Sequence, residues 1–259
     1  MKLQTILYGL ILVFPLFSCG NDHSVETTDL SHAGHWGYQG QEAPEHWAEL
    51  SAEFVKCAEG HFQSPIDIES YSAKEYSGPL LDFRYHPSPV DLVNNGHTVQ
   101  ANLEEENVLV VHEQPYSLKQ IHFHEPSEHQ VDGVIYPMEM HLVHTDSTGQ
   151  LAVVGILIKE GQENKDLQAL WDALPEHKEE HYHPNGRCDI VHLLPQNKSV
   201  FHYSGSLTTP PCTEGVDWYV MKEAITLSKA QINKFRHLYH KNNRPVQQSE
   251  ARTIEVSTN

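Results

Sequence analysis

Six short runs rich in β-branched and aromatic residues constrain this chain more than any other feature. They read PVDLVNNGHTVQANL, NVLVVHE, SLKQIHFH, MEMHLVHT, LAVVGILIKEG and VDWYVMKEAITL, spread between Pro89 and Leu227. Residues of this kind fit a pleated, half-buried surface, and turn residues separate the runs, so the spacing predicts an extensive sheet. Helical pattern is scarcer. NKDLQALWDALPEH places Leu167, Leu170, Trp171 and Leu174 on one stripe, and LSKAQINKFRHLYH reads as a second helix with Ser228 as its N-cap. The class is mainly β with peripheral helices (α+β), in a single domain.

The chain has 259 residues, ample for a substantial core. It carries 35 acidic against 17 basic residues, a formal net charge of -18, which argues against nucleic acid or an anionic membrane surface as partner. The first residues, MKLQTILYGLILVFPLFSC, combine a short positive start with an apolar run from Ile6 to Phe17. The run is too short to span a bilayer and matches the core of a secretory signal. Its LFSC ending resembles a bacterial lipobox, which implies cleavage after residue 18 and a lipid on Cys19. Residues 19–35 are polar and aperiodic and read as a tether, leaving 36–259 as the folded domain. The expected location is the bacterial cell envelope, as a periplasmic or outer-membrane lipoprotein touching the membrane only through its anchor. Export means an oxidising compartment, so two of Cys57, Cys188 and Cys212 can pair and leave one free thiol.

The stretch HFHEPSEH, residues 122–129, holds the densest set of donors. Side chains alternate along a strand, so His122 and His124 share a face and Phe123 points to the core. Turn signals at Pro126, Asp132–Gly133 and Pro137 precede MEMHLVHT, so a hairpin would bring that run alongside. On it Glu139, His141 and Val143 share one face and His144 takes the other. His141 can then join His122 and His124, and three imidazoles with an open fourth position describe a catalytic zinc site. His122, His124 and Glu128 also fit the metal motif of cupins, in which the glutamate is a ligand; Tyr116 and Ile135 stand where that motif wants glycines. A chain with 20 histidines offers chance pairs, and the local motif alone leaves both readings open. PEHKEEHYH, residues 175–183, could also chelate metal, but mixed charge and the lack of a strand to fix its geometry make it read as a solvated loop.

The blocks PEHWAEL, QSPIDI, NNGHTVQ, QIHFH, SEH, MEMHLVH, LAVVGI and GSLTTPP, taken together, resemble an α-class carbonic anhydrase from HWGY at residue 35 to NNRPVQ at residue 242. The resemblance implies a large, mostly antiparallel central sheet and reversible hydration of CO2 to bicarbonate by zinc-bound hydroxide. It places Zn2+ on His122, His124 and His141, with Gln120 and Glu139 as hydrogen-bond partners of His122 and His141. Thr208 would accept a hydrogen bond from the hydroxide and donate its proton to Glu128. Thr209 would hold bicarbonate, and Val143, Val153, Leu207 and Trp218 would wall the CO2 site. His97 takes the proton-shuttle position, and Tyr38, Asn95 and Gln100 surround the water network. Cys57 and Cys212 match a disulfide of exported family members, leaving Cys188 unpaired. Anion or sulfonamide inhibitors at the zinc, and a homodimer, are further expectations. His129 is expected to hold a structural hydrogen bond, and Glu125 has no evident role.

Three other readings compete. A carbonic-anhydrase-like surface binding module would have lost a zinc histidine, and this chain keeps all three. A cupin would need the missing glycines. A histidine-rich zinc-carrying lipoprotein would need neither SLTTPP nor His97.

Overall fold

A computed structural model describes residues 34–76, 81–249 and 252–257. Residues 1–33, on which the expected secretory segment and Cys19 fall, lie outside them. Among the described residues a sheet of 13 strands forms the frame. Eight of its strands position the site: β1 (Val90–Asn94), β2 (Val99–Leu103), β3 (Gln114–His124), β4 (Met138–Thr145), β5 (Leu151–Glu160), β6 (His181–Tyr182), β7 (Val200–Ser206) and β8 (Glu214–Met221). They lie side by side in the order β6-β1-β2-β3-β4-β5-β8-β7. The pairs are antiparallel except β5 with β8. The sheet as a whole is therefore mixed, with antiparallel pairs prevailing.

The expected hairpin forms. β4 lies antiparallel to β3 with His141 opposite His122 and Glu139 opposite His124. Asp132 and Gly133 turn the chain between them at φ 51° and 76°, the left-handed conformation that a two-residue hairpin turn requires. One irregularity was not legible in the sequence. Val143 pairs with Gln120 but His144 pairs with Leu118, so Lys119 is an extra residue in β3. This bulge lets Leu118, Ile121 and Phe123 enter the same core despite their odd spacing.

Two cores result, one on each face. On the first, Phe123 packs edge-on against Trp171 with ring centroids 4.9 Å apart, and Ile232 and Phe235 join them. Leu167, Leu170, Trp171 and Leu174 are all buried, as the stripe predicts. The helix there, α1 (Gln168–Asp172), holds only Leu170 and Trp171 and is shorter than the pattern suggests. Asn164 Oδ1 accepts from the N–H groups of Asp166 and Leu167, which holds the start in a turn, and Pro175 forbids continuation. The second helix, α2 (Lys229–Leu238), has the expected Ser228 cap: Ser228 Oγ accepts from Gln231 N, and Gln231 Oε1 accepts from Ser228 N. The second core gathers Val153, Tyr203 and Trp218, with Val143 and Leu207 packed against them.

Cys57 and Cys212 form a disulfide spanning 155 residues. Among the described residues Cys188 is the free cysteine; burial, then Asp189 and Asp166, push its thiol up to about 12, so it is inert at neutral pH.

Candidate metal centre

His122, His124 and His141 bring three ring nitrogens within 4.8 Å of one another. The nitrogens facing away from the centre are all engaged. His122 Nδ1 bonds to Gln120 Oε1 at 2.8 Å, His124 Nδ1 to the Asn242 carbonyl at 2.7 Å, and His141 Nε2 to Glu139 Oε1 at 2.9 Å. Each acceptor fixes the proton on that nitrogen, so the lone pairs of His122 Nε2, His124 Nε2 and His141 Nδ1 face inward. His141 Nδ1 lies 3.3 Å from His122 Nε2.

Burial reinforces this. It pushes His122 well below its ordinary value, takes His124 down to about 4, and lowers His141. All three are neutral at neutral pH, the state a metal ligand needs. His124 Nε2 and Glu128 Oε2 are 3.5 Å apart, fully buried, and have no hydrogen-bond partner. Inward lone pairs on three buried, neutral imidazoles are what a bound cation would satisfy. The residues therefore fit zinc with three protein ligands.

Glu139 ties the centre to the second core. It accepts from the backbone N–H groups of Glu128 and His129, and its Oε1 lies 2.8 Å from His129 Nδ1. Burial alone would raise Glu139, but His129 and His141 hold it well below the usual carboxylate range. His129 Nε2 continues to Tyr203 Oη at 2.6 Å, and Tyr203 to Ser64 Oγ at 2.8 Å. His129 thus has the structural role expected of it. His129, Glu139 and His141 also gather as a donor group, but these hydrogen bonds account for it.

Glu128 receives the Arg244 backbone N–H on Oε1 at 2.8 Å. Burial pushes its carboxyl up to about 7, against the pull of His141, Arg244 and Thr208. Thr208 is buried, and the Thr209 carbonyl accepts from Cys212 N at 2.9 Å, so the disulfide closes the loop that carries both threonines. Val143, Val153, Leu207 and Trp218 come together in one apolar cluster, and the Trp218 ring lies 4.9 Å from that of His141. Asn95 donates to Gln100 at 3.3 Å. Tyr38 stands edge-on to Trp36 and Trp47. His97 is stacked on Trp36, ring centroids 3.8 Å apart and 8° from parallel.

Three participants escape sequence reasoning. Asn242 accepts from His124 through its backbone carbonyl, while its side chain bonds Glu125 N, Phe123 O and the His97 carbonyl. Arg244 acts on Glu128 through its backbone. Trp36 supports His97. Glu125 also gains a role: its buried carboxylate meets Arg236 Nε at 2.6 Å and His240 Nδ1 at 3.2 Å, tying the end of β3 to α2.

The sequence model described as eukaryotic-type carbonic anhydrase matches residues 42–258. The chain belongs to the α-carbonic anhydrase family. It is 44% identical over 225 residues to a carbonic anhydrase of Klebsiella pneumoniae, covering 86% of this chain and 91% of that one. A carbonic anhydrase of Neisseria gonorrhoeae is 44% identical over 223 residues, with 85% and 87% covered. Among solved structures, α-carbonic anhydrase from Thermovibrio ammonificans in complex with the inhibitor sulfanilamide superposes with a TM-score of 0.84 at 44% identity, covering 86% of this chain and 99% of that chain. The reaction of the family is the reversible hydration of CO2, and this member is an enzyme of that class. The cupin reading falls with the fold.

Proposed function

We propose that this chain hydrates CO2 reversibly at one zinc ion held by His122, His124 and His141. The observation that carries the proposal is the set of outer hydrogen bonds, which leaves three inward lone pairs on neutral imidazoles. Zinc bound there supplies Lewis acidity that makes water a nucleophile near neutral pH, an effect for which carbonic anhydrases are the standard instance. Positive charge among the three nitrogens also keeps Glu128 ionised against its burial.

An ionised Glu128 can only accept, so Thr208 donates to it and turns an oxygen lone pair toward the reacting water's proton. Thr209 holds the bicarbonate product. Val143, Val153, Leu207 and Trp218 present an apolar wall beside His141, suited to a small neutral substrate. His97 takes the released proton on a ring nitrogen and passes it to solvent. It is half-buried, and burial, then His35 and Lys178, lower its pKa from the ordinary value. Anions and sulfonamides would bind beside His122, His124 and His141 when these hold zinc. Tyr38, Asn95 and Gln100 border the water there.

We also place the enzyme in the cell envelope, exported by residues 1–18 and tethered by lipid on Cys19. No helix among the described residues is long and apolar enough to cross a membrane, and the Cys57–Cys212 bond suits an oxidising compartment.

CO2 hydration by the purified protein tests the proposal, with His141→Ala and a chelator-stripped sample beside it. Activity that the substitution and the chelator both abolish, and that added zinc restores to the stripped sample, is expected. A zinc-independent rate would overturn the metal assignment, and no rate at all would favour a binding module.

A further inference from the structure

The segment read as a solvated loop has a strand in it. β6 pairs antiparallel with β1, His181 opposite Val93 and Tyr182 opposite Leu92. The strand ends at Tyr182; the next residue, His183, approaches Asp91 and by the two-residue repeat would share a face with His181. The contacts agree. His181 Nδ1 lies 3.0 Å from both carboxylate oxygens of Asp91. His183 Nε2 lies 3.8 Å from Asp91 Oδ1, and its Nδ1 lies 3.3 Å from Glu104 Oε1. The central triad has a related plan, two histidines one residue apart faced by a donor from the adjacent antiparallel strand, but there both histidines lie within the strand and the donor nitrogens already converge within 4.8 Å.

We propose that His181, His183 and Asp91, assisted by Glu104, form a second site for a divalent transition-metal ion. Imidazole nitrogen with carboxylate oxygen is a donor set that zinc, nickel and copper(II) accept. Two carboxylates neutralise the ion's charge in a chain that is already strongly acidic. Asp91 is the anchor, with only 19% of its side chain exposed, and Asn102 donates to it at 3.4 Å. The two histidine side chains are 53% and 65% exposed, so they are free to rotate and close on an ion. That freedom carries an ordering cost, and this site binds more weakly than the buried triad.

The location follows from the register. His141, His122, Gln100, Val93 and His181 form one row across adjacent strands. The second site therefore stands on the same sheet face as the triad, three strand spacings or roughly 14 Å from His122. Gln100 donates to Asn102 at 2.6 Å, so hydrogen-bonded side chains join the region beside the triad to Asp91.

Calorimetric titration of the chelator-stripped protein with Zn2+ tests this. The unaltered protein is expected to bind two equivalents, one tight and one weak. The double substitution His181→Ala with His183→Ala is expected to bind only the tight equivalent and to melt at the unaltered temperature. Asp91→Asn should weaken the second equivalent by about tenfold or more. His141→Ala should lose the tight equivalent and keep the weak one, so the two centres are read separately. A single equivalent in the unaltered protein, or a second equivalent that survives the double substitution, would overturn the proposal.

Discussion

The backbone N–H of Arg244 donates to Glu128 Oε1 at 2.8 Å. The Arg244 guanidinium in turn bonds Gln63 Oε1, the Ser64 carbonyl and the Cys57 carbonyl, and it lies over the Trp47 ring. One buried arginine thus connects the carboxylate that faces Thr208 with the disulfide that closes the Thr208 loop. Arg244→Met would leave three acceptors without a donor, at a cost of about 3–5 kcal/mol. Urea unfolding measures that loss. A midpoint shifted by less than the equivalent of 1 kcal/mol would show that Arg244 carries no such load.

His97→Ala is expected to slow turnover on the order of tenfold or more in dilute buffer, with imidazole restoring the rate. Stopped-flow hydration across buffer concentrations reads both. A rate that does not change in dilute buffer would remove His97 from the proton path.

Asn242→Ala keeps the carbonyl that receives His124 but strips three hydrogen bonds from the strand end around it. Zinc affinity should fall about 10- to 100-fold, as for other groups that orient a ligand. Competition with a chromophoric chelator gives the number, and unchanged affinity would show that the backbone alone fixes His124.

Glu125 and Arg236 should respond unequally. Glu125 is 3% exposed at its side chain and Arg236 is 44% exposed. Arg236→Met leaves a buried carboxylate with weaker partners, whereas Glu125→Gln leaves a guanidinium that water can reach. The first should cost about 3 kcal/mol and the second about 1 kcal/mol. Equal losses in thermal unfolding would contradict this order.

His144 sets a pH dependence. Burial brings it down to about 4, and it lies between Tyr85 Oη and the Ala152 carbonyl. In the unfolded chain it titrates at about 6.5, so between those values the unfolded state binds the extra proton. Stability therefore falls as pH drops through that window, by up to about 1.4 kcal/mol per pH unit from this group, and is full above it. His144→Gln should flatten that part of the curve. Unfolding midpoints compared at pH 7 and pH 5 decide it; identical slopes in both proteins would remove His144 as the cause.

Much of the site was legible because it follows the alternation of strands. His122 and His124 are two residues apart and a turn can bring the run with His141 alongside, and the other blocks, SLTTPP among them, decide against Glu128 as a ligand. The first residue to escape, Asn242, does so because its key group is a backbone carbonyl, which leaves no mark on residue type. Glu125 looked unemployed because its partner Arg236 is 111 residues away on α2. The Lys119 bulge was hidden because either neighbouring phase gives an acceptable strand pattern. PEHKEEHYH misled for a related reason: β6 is two residues long, too short for periodicity to register.

His141 stands directly across from His122, with Met140 across from Phe123. A slip of one residue between these strands would set Met140 opposite His122 and turn His141 toward the helices. Such a chain could still bury apolar side chains, yet it could not gather the triad. Tight metal uptake therefore works as a quality check on each molecule, and the fraction of a preparation that loads counts the chains whose strands have met in the right order.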